Sequence, residues 1–348
     1  RGLRTPFLRV AKAGSTLPDR SFTAGGGVGA GVADQISDDK LVSLFADGAT
    51  IVLQGLHRVW PPILHFCQAL AAELGHPVQA NAYVTPPQNK GFSDHYDVHD
   101  VFVLQLAGEK EWWIHPPVHE SPLRDQPWND RRAAVERAAA EPPLLQTVLR
   151  PGDCLYLPRG YLHAATALGA VSIHLTIGIH TWTRHSLAER LTRLALDRAA
   201  SDPELRRSLP YGLSLTDPAR IRTDVDQVRR SLLASLEQID AGAVASSLSA
   251  SVRQTQRAAP IGPLRQLSAV DRLQPGLRIS LRRYLEPSLI KVADDRWALH
   301  SRAGELTISS TELIPLSRLL AGEDMSAGEV GLDLARRMIL SAMAVVVE

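Results

Sequence analysis

The stretch SDHYDVHDVFVLQLAG, residues 93–108, decides how the chain is read. Its first half crowds His95, His99, Asp94, Asp97 and Asp100 into eight positions, and its second half is an apolar run with the texture of a strand. Side chains of an extended chain alternate between faces, so His95 and Asp97 point the same way while Asp94 and Tyr96 face away. His99 shares the face of His95 but sits about 13 Å from it at roughly 3.3 Å per residue, too far for one coordination sphere unless the chain bends. An imidazole and a carboxylate at this spacing suit a borderline-to-hard ion such as Fe(II), Mn(II) or Zn(II). Thiolate ligation is not expected, because Cys67 and Cys154 are far apart and form no C-x-x-C pair.

Outward from this stretch, residues 79–180 break into short runs rich in Val, Ile, Leu and Tyr: NAYVTP, DVFVLQLAG, EWWIHPP, LLQTVLR, CLYLPRG, HAATAL and VSIHLTIGIH. Turn signals such as PPQNKG, AGEK and RPGD separate them, a spacing that points to an antiparallel barrel or sandwich. A third ligand has to come from one of these later strands. His163 is the favoured candidate, since it follows a Pro-Gly-Asp turn, a short strand and a second turn at PRG, and opens the next strand 66 residues after Asp97. His174, in SIHLTI, is the competitor, and is expected to be a pocket residue. Two histidines and one carboxylate on one face make the facial triad of non-haem Fe(II) oxygenases, which leaves positions open for other ligands. His99 and His115 are expected to lie behind the ligands or at the surface, and Trp112 and Trp113 to pack the barrel.

The rest of the chain sorts by texture. WPPILHFCQALAAEL, 60–74, predicts a proline-started helix, and NDRRAAVERAAAE, 129–141, a second one capped by Asn129 or Asp130. The glycine-rich GGGVGAG, 25–31, lacks the preceding strand and the G-K-[ST] ending of a phosphate loop, and is expected to be a flexible loop. From 184 the periodicity turns helical, in SLAERLTRLALDRAA and DVDQVRRSLLASLEQI. Beyond 276, short strands (LIKVAD, RWALHS) mix with helices in a pattern compatible with a small winged-helix fold, and MILSAMAVVV is expected to be a core element.

The run NAYVTPPQNKGFSDHYDVHDVFVLQLAGEKEWWIHPP, followed by LRPGDCLYLPRGYLHAA and SIHLTI, resembles the JmjC-type cupins of the ribosomal oxygenase group. That resemblance implies a mixed α and β chain: a double-stranded β-helix barrel at 1–183, a helical dimerisation region at 184–275 and a winged-helix-like domain at 276–348. It implies an Fe(II)- and 2-oxoglutarate-dependent dioxygenase that uses O2 to hydroxylate a side chain of a protein or peptide, with ribosomal proteins the first guess, and a homodimer. The iron ligands of the family fall on His95, Asp97 and His163, and its basic residue for the far carboxylate of 2-oxoglutarate falls on Lys110. Asn81, Tyr83, His174 and Thr176 fall on its cosubstrate and substrate pocket. Lys110 is one of five lysines in an arginine-rich chain, and a buried ammonium is costly unless an anion arrives to pair with it. N-methyl-lysine demethylation uses the same chemistry and stands as the alternative. A third reading, of a different class, is a ligand-sensing transcriptional regulator.

Composition narrows the rest. With 348 residues, 45% apolar and 22% charged, the chain is long enough for two or three domains and has no run that approaches a membrane span. A formal charge of +1 and the absence of a dense basic block give no basis for nucleic-acid binding. No basic-then-apolar leader opens the chain, so the expected compartment is the cytoplasm, although the first residue is Arg and the natural amino terminus is left open.

Overall fold

The computed structural model describes residues 3–29 and 31–347, so Ala30 of the glycine-rich stretch and the outermost ends of the expected first and last domains lie outside the described residues. The chain divides into two compact units, Arg1–Thr181 and Trp182–Glu348.

In the first unit the strands are β1 (Leu8–Lys12), β2 (Ser15–Thr16), β3 (Thr23–Ala24), β4 (Gln35–Ile36), β5 (Thr50–Leu53), β6 (Val78–Thr85), β7 (Asp100–His115), β8 (Leu145–Leu149), β9 (Cys154–Leu157) and β10 (Leu162–Ile179). The helices are α1 (Asp38–Ala46), α2 (Leu56–Val59), α3 (Pro61–Leu74) and α4 (Arg132–Ala139). The main sheet has the antiparallel order β2-β1-β5-β6-β10-β7-β8, with β9 also on β7.

Two long strands replace four expected short ones. AGEK was expected as a turn, yet β7 runs through it: its first half pairs with the second half of β10, its second half with the first, and the register shifts between Leu168 and His174. Gly108 makes this corner, with φ +62° and its backbone so close to Val171 that an added Cβ would stand 2.3 Å from the Val171 carbonyl oxygen. A strand that can bend at glycine continues rather than reverses. The buried Gln105 amide, within 2.8 to 3.1 Å of the Ala107 and Gly108 carbonyls and the Ser172 hydroxyl, takes up groups the bend strips of ladder partners.

One apolar layer gathers Val101, Val103, Trp112, Ile114, Leu149 and Leu157; another packs Cys67 of α3 against Val78, Ala80, Leu175 and Ile177 of β6 and β10. α3 begins with proline, as expected, and ends at Gly75 in the left-handed region. The expected cap at Asn129 or Asp130 is not found: Pro127 starts a 3-10 turn over Trp128–Arg131, which absorbs both residues, and α4 begins at Arg132 without a side-chain cap.

The second unit opens with α5 (Arg184–Ala199), α6 (Pro218–Glu237), α7 (Ala241–Thr255) and α8 (Pro263–Asp271). Thr183 and Ser186 form a capping box on α5, and Asp217 and Asp240 cap α6 and α7. Then follow β11 (Arg278–Leu281), β12 (Ser288–Ala293), β13 (Arg296–Ser301), β14 (Gly304–Ser309), α9 (Leu313–Leu320), β15 (Met325–Ser326), α10 (Ala327–Val330), α11 (Leu332–Leu340) and β16 (Ala344–Val346), with sheets β15-β11-β16 and β12-β13-β14. Met338, Ile339, Met343 and Ala344 are buried with Ile279, Leu299 and Leu316, so the late apolar run is core as expected. Among the described residues no helix is long and apolar enough to cross a membrane.

Candidate metal centre

His95 and His163 lie 68 positions apart, and the backbone brings them together. His163 donates its amide N–H to the His95 carbonyl at 2.8 Å, and His95 donates back to the His163 carbonyl at 3.3 Å, an isolated antiparallel bridge. Two residues on, Gly160 donates its N–H to the Asp97 carbonyl at 3.0 Å. The loop before β7 is thus zipped onto the entry of β10. Tyr96, between the two candidate ligands, points the other way and is fully buried, its hydroxyl donating to the Gln126 carbonyl at 2.9 Å. Asp94 also turns away, to an ion pair with Lys90.

One donor atom each of His95, Asp97 and His163 lies within 4.8 Å of the others. Bonds near 2.1 Å put neighbouring donors of one ion about 3 Å apart, so small movements would complete a sphere. Both rings are already oriented: Nδ1 of His95 faces the Ser93 carbonyl at 2.8 Å, and Nδ1 of His163 faces the Tyr161 carbonyl at 3.1 Å. A carbonyl accepts only, so Nδ1 carries the proton and Nε2 keeps its lone pair for an ion. Burial, and after it His95, pushes the His163 pKa down to about 4. Burial works against the Asp97 carboxylate, yet the surrounding histidines, His99 first, and Arg9 hold its pKa below the usual value. A carboxylate and two neutral imidazoles fit a divalent first-row ion.

The three line a cavity of about 520 Å³. Lys110 lies in its wall, 4% exposed, and its ammonium donates to Thr85 Oγ1 at 3.1 Å, which Thr50 Oγ1 reaches at 3.2 Å. No carboxylate pairs with Lys110 among the described residues, and burial pushes its pKa down to about 7. This is the environment the sequence pointed to: a costly cation in want of an anion.

The other expected pocket residues divide. His174 and Tyr83 face each other across β10 and β6, stacked at 4.7 Å with 4° between planes, and both line the cavity, as does Thr176. His174 is held neutral by burial and then by Lys110, and burial raises the Tyr83 phenol to about 12. Asn81 pairs with Thr176 on the ladder but does not line the cavity; its Oδ1 accepts the Gly55 N–H at 3.0 Å, which fixes the entry to α2. His99 is half-buried, its ring 4.9 Å from that of His180 and close to Gly178, and His115 is buried; neither is a surface residue. Trp112 is more than packing, for it lines the cavity edge-on to His174 at 5.6 Å. Sequence reasoning missed Arg9, Thr50, Thr85, Phe92, Trp128 and Arg132. Thr85, Phe92, Trp128 and Arg132 lie within or beside stretches already quoted, NAYVTP, SDHYDVHD and NDRRAAVERAAAE, where only strand or helix texture or the ligand candidates drew notice; Arg9 and Thr50 come from distant elements with no local signature.

Gly160 tests the zip. Its φ is +90°, and an added Cβ would stand 2.7 Å from the His119 carbonyl oxygen. Gly160→Ala should lose about 1–3 kcal/mol of stability and, by loosening the Asp97 side of the bridge, weaken Co(II) binding by about tenfold or more. Thermal unfolding and a Co(II) titration check both.

Residues 57–187 match the JmjC domain, so the resemblance read from the sequence is borne out over the barrel. Ribosomal oxygenase 1 of Rattus norvegicus is 36% identical over 176 residues, 48% of this chain and 28% of that protein. The bifunctional lysine-specific demethylase and histidyl-hydroxylase NO66 of Drosophila persimilis is 37% identical over 139 residues, 39% of this chain and 19% of that protein. The chain therefore spans less than a third of the length of these relatives. The structure of YcfD, a ribosomal oxygenase from Escherichia coli, in complex with cobalt and 2-oxoglutarate superposes with a TM-score of 0.51 at 16% identity, over 98% of this chain and 86% of that one. At that identity the likeness shows the fold, a mixed α and β chain built on a JmjC-type cupin.

Proposed function

We propose that this JmjC-bearing chain is an Fe(II)- and 2-oxoglutarate-dependent dioxygenase that hydroxylates a side chain of a protein or peptide, with ribosomal proteins the first candidates. The observation that carries the reading is the pairing of a two-histidine, one-carboxylate cluster with a buried, carboxylate-free lysine in one cavity. Bound there, Fe(II) with 2-oxoglutarate supplies the oxidising chemistry: one oxygen atom of O2 enters a C–H bond of the substrate, the other enters succinate, and the cosubstrate leaves a carbon as CO2.

The chain's own residues position and insulate. His95 and His163 offer Nε2 because each Nδ1 is committed to a backbone carbonyl. Asp97 supplies the single negative ligand, and three protein donors leave room for a chelating cosubstrate and O2. Lys110, steadied by Thr85, is assigned to the far carboxylate of 2-oxoglutarate, where a charge pair in a dry site is strong. His174, Thr176 and Tyr83 are assigned to the wall beside it. Val101, Val103, Trp112 and Leu157 line the cavity with apolar surface that keeps bulk water from the reacting centre. Asn81 is assigned a supporting role, through the turn at Gly55.

The test is mass spectrometry of candidate peptides and purified ribosomes after incubation with the protein, Fe(II), ascorbate and 2-oxoglutarate. A gain of one oxygen on a side chain, matched by succinate, is the expected result; formaldehyde release would mark N-methyl-lysine demethylation instead. A regulator that reads DNA through α11 is disfavoured by the engagement of Arg337 with Asp333 and Glu312, which among the described residues leaves Arg336 as the one basic residue of that helix without such partners. A gel shift at moderate salt would expose it.

Residues 184–275 are assigned to dimerisation and 276–348 to a winged-helix-like domain. Leu187 and Leu196 of α5 and Val225, Val228 and Leu233 of α6 are exposed apolar side chains, suited to a second copy of the chain. Light scattering should give twice the chain mass at micromolar concentration; a monomer would remove the assignment. The proposed compartment is the cytoplasm.

A further inference from the structure

The cavity carries more positive charge than its proposed chemistry uses. Arg9, from β1, and Arg132, from the start of α4, line it together with Lys110. Asp97 is the only acidic residue among the described residues that line it. A divalent ion and a protonated Lys110 are balanced by Asp97 and the two carboxylates of 2-oxoglutarate, so the loaded floor of the cavity is neutral and the two guanidiniums stand in excess. Neither forms an ion pair with a carboxylate among the described residues.

Their placement is specific. His95 has two aromatic rings near it, Phe92 at 6.0 Å and Trp128 at 6.3 Å. Each of those rings carries a guanidinium over it: Arg9 Cζ is 5.1 Å from the Phe92 centroid, and Arg132 Cζ is 4.9 Å from the Trp128 centroid. A guanidinium over a ring face can still donate in its own plane, and Arg9 reaches the Tyr83 hydroxyl with part of its edge. The Arg9 Nε is buried and has no hydrogen-bond partner. A buried, unmet donor on a cation is costly, and a carboxylate is the group that answers it in fork geometry.

Resting on the oxygenase reading, we propose that the side chain hydroxylated is acidic, an aspartate or glutamate of a peptide, whose carboxylate is held by Arg9 and Arg132 while a methylene C–H is presented to the metal. In this reaction the C–H bond becomes C–OH with one oxygen atom of O2, and the other oxygen oxidises 2-oxoglutarate to succinate and CO2. A cationic arginine, lysine or methyl-lysine side chain would enter with no carboxylate to receive it and two guanidiniums repelling it.

The test uses the full chain loaded with Co(II) and 2-oxoglutarate, both followed by calorimetry, and fluorescent nonapeptide pools with random flanks and a fixed central Asp, Glu, Asn, Arg or Lys. Anisotropy should show the Asp and Glu pools binding at least about tenfold more tightly than the Arg and Lys pools, the scale of one charge-assisted contact. Arg9→Met and Arg132→Met should each reduce that preference; Arg132 is exposed, so its replacement guards against loss of folding in the other variant. With Fe(II) and O2, the oxygen gained should map to the central acidic residue. Arg or Lys pools that bind as tightly as the acidic ones, or that take up the oxygen, overturn the acidic substrate while leaving the oxygenase intact. Failure of the protein to bind Co(II) and 2-oxoglutarate overturns the oxygenase reading and this one with it.

Discussion

Replacing His163 by alanine reduces substrate-dependent succinate formation to background. Loss of a group that merely orients a ligand weakens a metal site about 10- to 100-fold, and His163 is placed as the ligand itself, so the fall in Co(II) affinity should exceed about 100-fold. The ring is nearly buried, yet the bridge to His95 is made by main-chain N–H and carbonyl groups that alanine retains. The metal-free variant should therefore keep the circular dichroism and thermal unfolding profile of the metal-free wild type, and the defect should appear in metal titration rather than in folding. Asp97→Ala should behave alike in activity. It differs in one respect: without the carboxylate, two neutral imidazoles lack the negative ligand that favours a divalent ion, and raising the metal concentration should restore less. Turnover at wild-type rate in His163→Ala, with iron still bound, would end the assignment of this cluster.

The triad was legible because each member carries a local sign. His95 and Asp97 share a face in any extended stretch, and His163 follows two turns written in Pro-Gly-Asp and Pro-Arg-Gly. What could not be read was how the loop meets β10, since a main-chain bridge has no side-chain signature. The corner at Gly108 was misread as a turn for a related reason: alanine-glycine-glutamate-lysine suits either a reversal or a bend, and the close approach of Val171, 63 residues away, selects the bend. Arg9 was invisible. In LRVAK it alternates with buried Leu8 and Val10 as any polar strand residue would, and only the pairing of β1 with β5 and of β5 with β6 brings it into reach of Tyr83. The helices α7 and α8 escaped because their sequences are weakly patterned, rich in Ala and Ser in one case and short in the other.

Lys110→Ala should weaken 2-oxoglutarate binding by about 10²- to 10³-fold, the scale expected when one partner of a buried charge pair is removed and the other is left uncompensated. The wild-type pH dependence follows from the same burial. In the ligand-free protein the Lys110 pKa is pushed down to about 7, below its ordinary 10.5. Between those values the unfolded chain binds more protons than the folded one, so this lysine makes the free protein least stable below pH 7 and its penalty fades as pH rises toward 10.5. A bound carboxylate favours the ammonium and raises its pKa, so above pH 7 binding must take up a proton. Affinity for 2-oxoglutarate should then be flat below pH 7 and fall by up to about tenfold per pH unit above it. Calorimetry in two buffers of different ionisation enthalpy would count the proton directly. Lys110→Arg keeps its charge at every accessible pH, so whatever its absolute affinity, the proton uptake should vanish and the profile above pH 7 should flatten. An unchanged slope in that variant would assign the titration to another group and leave Lys110 without its proposed anion.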